Sequence, residues 1–187
     1  LPIFVSSEGS AALGDFYGLY EATAARDRIA IHPRSYYERL FALAASSEGE
    51  PRADLRLWVA RYEGEALAAI VTLFYGETAT YLYGASSDER RNLMPAYALQ
   101  WAAIKAAREA GCRWYDFYGI PPVDDPNHPM AGLYRFKTGF GGELWHYAGA
   151  WDYVLRPATY AAFRAAERAR LFWHKRVKKR LGVARPR

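Results

Sequence analysis

One lysine, Lys137, sits in the run Arg135-Phe136-Lys137-Thr138-Gly139-Phe140-Gly141-Gly142, with Tyr134, Phe136 and Phe140 around it. A cation among aromatic rings is a fixed positive charge in a water-poor place, suited to holding an anion or to stabilising one that develops during a reaction. The glycines beside it let backbone or ligand approach closely. The wider stretch from Tyr115 to Asp152 reads as rigid turns and an aromatic loop between two strands. A bland surface loop also uses glycine and proline, but it seldom gathers three aromatic rings about a single lysine.

Other residue clusters are weaker. Tyr81 and Tyr83 are two apart on a predicted strand, which puts both on one face, where a single substrate surface can meet both hydroxyls or both rings can pack in a core. Tyr118 is placed to join that wall. Asp116 stands mid-strand between Tyr115 and Phe117, on the face opposite theirs. Asp124, Asp125 and His128 superficially resemble metal ligands, but Pro126 interrupts them and no other histidine or cysteine is near, so turn chemistry explains them and no metal is expected. No serine shows a nucleophile elbow, and His32, His146 and His174 are scattered.

The elements that must position these residues follow from periodicity. Asp15 to Ala25 and Pro33 to Ser46 read as helices, the second with Tyr36, Tyr37, Leu40, Phe41 and Leu43 on a broad apolar face. Leu55 to Tyr62 and Ala66 to Tyr75 flank Glu63-Gly64-Glu65 as a hairpin, and Thr78 to Tyr83 adds a third strand. Pro95 to Gly111 is a helix with proline in its first turn and glycine at its end, turning Leu99, Ala102, Ala103, Ala106 and Ala110 inward. Arg113 to Ile120 is the next strand, and Leu144 to Leu155 contains the last. The result is a mixed α/β (α+β) architecture, a mixed central sheet flanked by helices with one helix crossing over between the third and fourth strands. This is the order of a GNAT-like N-acyltransferase fold. Residues 1–155 form that domain, and residues 156–187 a basic C-terminal helix and tail.

At 187 residues the chain suits one core. Its net charge of +5 is unevenly placed: Arg156 to Arg187 holds eleven Lys/Arg against Glu167 alone, so the rest of the chain is acidic. Tyr160 to Leu181 carries Phe163, Ala166, Trp173 and Val177 in an approximate helical stripe, with Lys175, Lys178 and Lys179 among the basic residues around it. That pattern fits nucleic-acid phosphates, an anionic membrane face or a neighbouring domain. Cys112 is the only cysteine, which excludes an intrachain disulfide and fits a reduced, cytoplasmic setting. No apolar run approaches a membrane span, and no signal-peptide pattern opens the chain. A start at Leu1 rather than methionine suggests a piece of a longer protein, with a second domain upstream.

An acetyl-CoA enzyme of this fold needs a glycine-rich turn after its third core strand for the pyrophosphate. Here Ser86 to Met94 contains no glycine, and Asp88 and Glu89 would repel phosphate. The chain resembles instead the C-terminal half of the Fem-type aminoacyl ligases (FemA, FemB, FemX and MurM relatives), which build peptidoglycan interpeptide bridges. The resemblance rests on Tyr115-Asp116-Phe117-Tyr118-Gly119-Ile120, on Gly132 to Gly142 and on Trp151-Asp152. Thr23 to Asp27, Tyr36-Tyr37 and Tyr81-Leu82-Tyr83-Gly84 add to it.

The resemblance implies transfer of an amino acid from aminoacyl-tRNA to the stem-peptide amine of a peptidoglycan precursor, UDP-linked or lipid-linked. Aminoacyl-tRNA is then the donor substrate, and no cofactor is expected. It implies Lys137 as the charge at the acceptor end of the tRNA, with Phe136 stacking on the terminal adenine or ribose. Asp116 either orients or deprotonates the attacking amine, or caps nearby backbone or pairs with an arginine. Arg34, ahead of Tyr37, is the better candidate of Arg26 and Arg34 for the precursor's diphosphate, an exposed surface arginine being the other reading. Tyr37, Tyr81, Tyr83 and Tyr118 complete the implied substrate wall. The enzyme is expected in the cytoplasm, with peripheral contact at the inner membrane face. Two rivals stay open: an acetyl-CoA-type N-acyltransferase, and a noncatalytic domain that docks on RNA or membrane through its basic helix.

Overall fold

The computed structural model describes residues 3–27 and 29–173. The predicted helices and meander are present. Helices α1 (Leu13–Asp27) and α2 (Arg34–Ala45) precede strands β2 (Asp54–Tyr62), β3 (Glu65–Tyr75) and β4 (Thr78–Ser86). Helix α3 (Pro95–Glu109) then crosses to β5 (Trp114–Asp116), and α4 (Ala131–Thr138) and α5 (Pro157–Phe172) follow. A short edge strand, β1 (Phe4–Ser7), pairs with β2; four residues are too few for alternation to reveal them in the sequence. The sheet order is β1-β2-β3-β4-β5, antiparallel except for the β4–β5 pair, which is parallel because α3 returns the chain to the same end.

Both faces of the sheet are covered, so the central strands are apolar throughout. Leu57, Val59, Ala69 and Val71 meet Phe16, Tyr37 and Phe41 of α1 and α2. On the other face Trp58, Ala60, Ala68, Ile70 and Phe74 meet Leu99, Ala103 and Ala107 of α3. Burying one such Val, Leu or Ile contributes about 1.5–3 kcal/mol. One polar pair enters this core, Trp58 donating its indole N–H to Thr72 at 2.8 Å, whereas the buried Tyr37 hydroxyl and Gln100 Nε2 have no hydrogen-bond partner among the described residues. The inward face of α3 differs from expectation at its end, where Ala110 is exposed and caps the helix, while Gln100 is fully buried.

Four expectations need correction. Strand β5 is three residues long, not eight, so Asp116 is its last residue rather than a mid-strand one. Lys137 lies on a helix, not in a loop: from Ala131 to Lys137 only Gly132 is a poor helix former, and Gly139, with its N–H bonded to the Arg135 carbonyl, ends the run. Leu144 to Leu155 forms no strand, because a run of aromatic and apolar residues does not by itself supply a hydrogen-bonded neighbour. Trp151, Tyr153 and Leu155 are accordingly more than four-fifths exposed.

The last correction concerns β4. Its register against β3 slips by one residue, Val71 pairing with Tyr83 and Thr72 with Tyr81, so Leu82 is an extra residue in a bulge. The bulge sends Tyr81 to the α3 face and Tyr83 to the α1 and α2 face. The two tyrosines expected to share one face are on opposite ones.

The chain divides into two compact units, residues 1–143 and 144–187. Within the second, α5 buries no residue. Tyr160 donates to Asp152 at 2.5 Å, and Arg164 pairs with Glu167 at 3.1 Å. Phe163 and Trp173 of the predicted stripe are exposed. Lys175, Val177, Lys178 and Lys179 lie outside the described residues. No described helix is long and apolar enough to cross a membrane.

Candidate active site

Strand β5 pairs with β4 only as far as Thr80 opposite Asp116. Beyond that point the chain leaves the sheet, and the side chains from β4, α3, α4 and the turn after β5 meet there. Lys137, in the last turn of α4, is only 8% exposed. Its Nζ donates to the carbonyls of Phe117 at 2.5 Å and Gly119 at 2.7 Å, and lies 5.4 Å from the centre of the Tyr81 ring. An ammonium has three N–H donors, so one remains for a ligand. Burial lowers its pKa to about 8, a shift that the nearby Asp116 carboxylate opposes.

The two carbonyls that Lys137 grips flank Tyr118, whose φ of 61° is in the left-handed region, costly for a bulky side chain. Asp116 holds the same turn from outside, its Oδ1 accepting the Tyr118 N–H at 2.7 Å. Of the two readings of Asp116, backbone capping is the one its contacts display. Together the lysine and the aspartate force out the Tyr118 ring, which is 66% exposed.

Phe136 is half-buried rather than free. Its ring meets Tyr97 of α3 edge-on at 4.9 Å and Phe140 at 5.6 Å; Phe140 continues to Phe117 at 5.0 Å, and Phe117 to Tyr115 at 5.1 Å. Tyr115 then donates to the buried Gln100 at 2.6 Å. This row of rings makes one apolar wall beside the lysine. Tyr97 and Gln100 were not singled out from the sequence, where they read as ordinary positions of an alanine-rich helix.

Across β4, Tyr83 has different company. Its hydroxyl is 3.2 Å from that of Tyr36, whose ring stacks on His32 at 4.1 Å. Burial raises the Tyr83 pKa above the ordinary phenol range, and the hydroxyl of Tyr36 adds to it, as does the neighbouring Tyr118. Tyr37 is a core residue, 1% exposed and edge-on to Tyr83 at 5.2 Å. The tyrosine that α2 presents outward is Tyr36, its neighbour in the sequence. Arg34 pairs with Glu38 at 2.9 Å and lines a separate cleft with Leu13, Phe41 and Arg52. Arg26 is fully engaged, holding Asp27, Asp88 and the Ser86 carbonyl.

The turn after β4 is thus filled by protein: Asp88 stands against Arg26, and Thr23 both donates to the Ser86 carbonyl and accepts its N–H. The Asp124 to His128 segment is a turn, in which Asp125 accepts the Asn127 N–H and His128 Nδ1 that of Met130. Among the described residues no group of acidic, histidine and cysteine side chains is arranged to hold a metal.

Comparison with known proteins places this geometry. The FemAB family model matches residues 53–168. Lipid II:glycine glycyltransferase of Staphylococcus saprophyticus is 40% identical over 98 residues, which are 52% of this chain and 24% of that protein. The enzyme of the same name from Staphylococcus aureus strain USA300 is 39% identical over 98 residues, 52% of this chain and 23% of the relative. The matched segment therefore amounts to about a quarter of those relatives. Among solved structures, FemX superimposes with a TM-score of 0.67 at 21% identity, over 75% of this chain and 50% of its own. An aminoglycoside acetyltransferase from an uncultured soil metagenomic sample superimposes with a TM-score of 0.56 at 15% identity, over 82% of this chain and 97% of its own. The fold is that of the GNAT acyltransferases.

Proposed function

This chain belongs to the FemAB family, and from that premise we propose that it is part of an aminoacyltransferase that moves an amino acid from aminoacyl-tRNA to an amine of a peptidoglycan precursor. The observation that carries the reading is the enclosed ammonium of Lys137, fixed by two carbonyls beside a wall of aromatic rings. Two relatives 39–40% identical over half the chain are lipid II:glycine glycyltransferases, which supports a lipid-linked acceptor and a glycyl donor.

The reaction is aminolysis of an ester. The acceptor nitrogen forms a bond to the ester carbonyl carbon, and that oxygen takes the electron pair. The tetrahedral intermediate collapses with loss of the ribose oxygen, and the proton shed by the nitrogen ends on the leaving hydroxyl. An amine that arrives neutral needs no strong base before attack. Orientation and neutralisation of the developing oxyanion then supply most of the acceleration.

Lys137 supplies the charge. Its remaining N–H faces the carbonyl oxygen or the ribose oxygen, and burial makes its charge count for more than it would in water. Tyr97, Phe136 and Phe140 offer an apolar surface on which the terminal adenosine stacks. Tyr118 and the Tyr36–Tyr83 hydroxyl pair, on the other side of β4, are the groups assigned to the acceptor. Asp116 acts through the turn that it caps.

The test is incubation of the full-length protein with charged tRNA and a peptidoglycan precursor, following the labelled amino acid into the precursor. Transfer at a rate that depends on both substrates is expected. Saturable micromolar binding of acetyl-CoA with no amino-acid transfer would overturn the proposal in favour of an acetyl-CoA enzyme. Precursor or RNA binding without turnover would favour a docking domain.

A further inference from the structure

The ring of Tyr81 lies beside the enclosed Lys137, and the same ring lies against Gly84 of its own strand. Tyr81 and Gly84 are both on the α3 face of β4, because the bulge at Leu82 shifts the alternation between them. The ring of Tyr81 lies forward along the strand, over Gly84. A Cβ at Gly84 would stand 1.9 Å from the Tyr81 Oη, 2.8 Å from Cζ and 3.1 Å from Cε2, and these are its three nearest atoms. The φ of Gly84 is outside the left-handed region, so alanine would fit its backbone there. The nearest obstacle is the ring.

Held in that seat, the ring turns toward the lysine, with Nζ 5.4 Å from its centre. This is within the range at which an aromatic quadrupole attracts an ammonium, and the attraction grows when water is excluded. The groups acting on Nζ are the Phe117 and Gly119 carbonyls, the Asp116 carboxylate and this ring. We propose that Tyr81 is a positioning residue for Lys137 rather than a substrate contact, and that Gly84 is the space its ring requires. The proposal deepens the aminoacyl-transfer reading and rests on it for the effect on rate. The effect on the lysine itself does not.

The test is a double-mutant cycle in the full-length protein with Tyr81→Leu, Gly84→Ala and the two combined, with Tyr81→Phe as the conservative variant. Two quantities are read: kcat and KM for aminoacyl transfer, and the titration of Lys137 by NMR of 13C-labelled lysine, assigned by the signal lost in Lys137→Arg. Tyr81→Leu and Gly84→Ala should each lower kcat roughly 3- to 30-fold with little change in KM. Tyr81→Leu should also lower the Lys137 pKa further below about 8, since it removes a group that favours the charged form. Tyr81→Phe should recover most of both losses.

Because Gly84 matters only through the ring, Gly84→Ala should add nothing in the Tyr81→Leu background. Equal losses from Gly84→Ala in both backgrounds would overturn the proposal, as would an unchanged Lys137 titration in Tyr81→Leu. If the wild-type protein transfers no amino acid, the functional reading fails on its own, and the titration still decides the role of Tyr81.

Discussion

Tyr81 and Tyr83 are two residues apart on one strand, yet they belong to different chemical environments. Tyr81 faces an enclosed compartment with a buried ammonium, gripped carbonyls and a row of rings from Tyr97 to Tyr115. Tyr83 faces a more open surface of hydroxyls and imidazole, with Tyr36, His32 and Tyr118 about it. The difference is produced by one extra residue, Leu82, where β5 has already parted from β4. A single bulge thus sets a charged, water-poor site and a more open, hydroxyl-lined one on opposite faces of β4.

That contrast can be broken most severely on the enclosed side. Lys137→Ala should reduce transfer about 10²–10³-fold, the size of effect seen when one charge-stabilising donor is removed from a site of this type. It should also loosen the turn at Tyr118, because the Phe117 and Gly119 carbonyls lose their donor. Rates measured with saturating tRNA and precursor check it.

Next in size is the turn itself. Asp116→Ala removes the acceptor of the Tyr118 N–H and should cost about 1 kcal/mol of stability, read as a lower denaturant midpoint. Asp116→Asn keeps an acceptor there and should retain most of that stability, while lowering the Lys137 pKa because the carboxylate that opposes the shift is gone. The two variants therefore separate the capping role of Asp116 from its charge.

The smallest effect is expected on the open side. Tyr83→Phe deletes one hydroxyl of the 3.2 Å pair with Tyr36 and should change stability by no more than about 1 kcal/mol. Its signature is a few-fold rise in KM for the precursor with KM for aminoacyl-tRNA unmoved, about what one hydrogen bond is worth. Equal changes in both KM values would show that the two faces of β4 do not divide the substrates.

The helices and the meander are legible in the sequence because their signals are local: strand-forming apolar runs between Leu55 and Tyr75, a glycine hairpin, and apolar spacing in α2 and α3. The bulge at Leu82 is not, since Tyr81 and Tyr83 keep a period of two whether or not a residue is squeezed out between strands. Lys137 stands out as a residue type in an unusual setting, but its burial depends on carbonyls 18 and 20 residues before it in the chain. Tyr36 and Tyr37 show the limit of a broad apolar face, which places both inward when only Tyr37 goes there. The aromatic and apolar residues of Leu144 to Leu155 mislead in the opposite way, because a strand also needs a partner.

The central claim, that an enclosed and charged Lys137 drives transfer, is tested most directly by the pH dependence of kcat in wild-type and Lys137→Arg protein. A lysine whose pKa is lowered to about 8 is charged below that pH and neutral above it, so wild-type activity should fall as pH rises through about 8. An arginine stays charged across that range, so the falling limb should vanish from the Lys137→Arg profile even though its rate is lower. The same falling limb in both proteins would contradict the account.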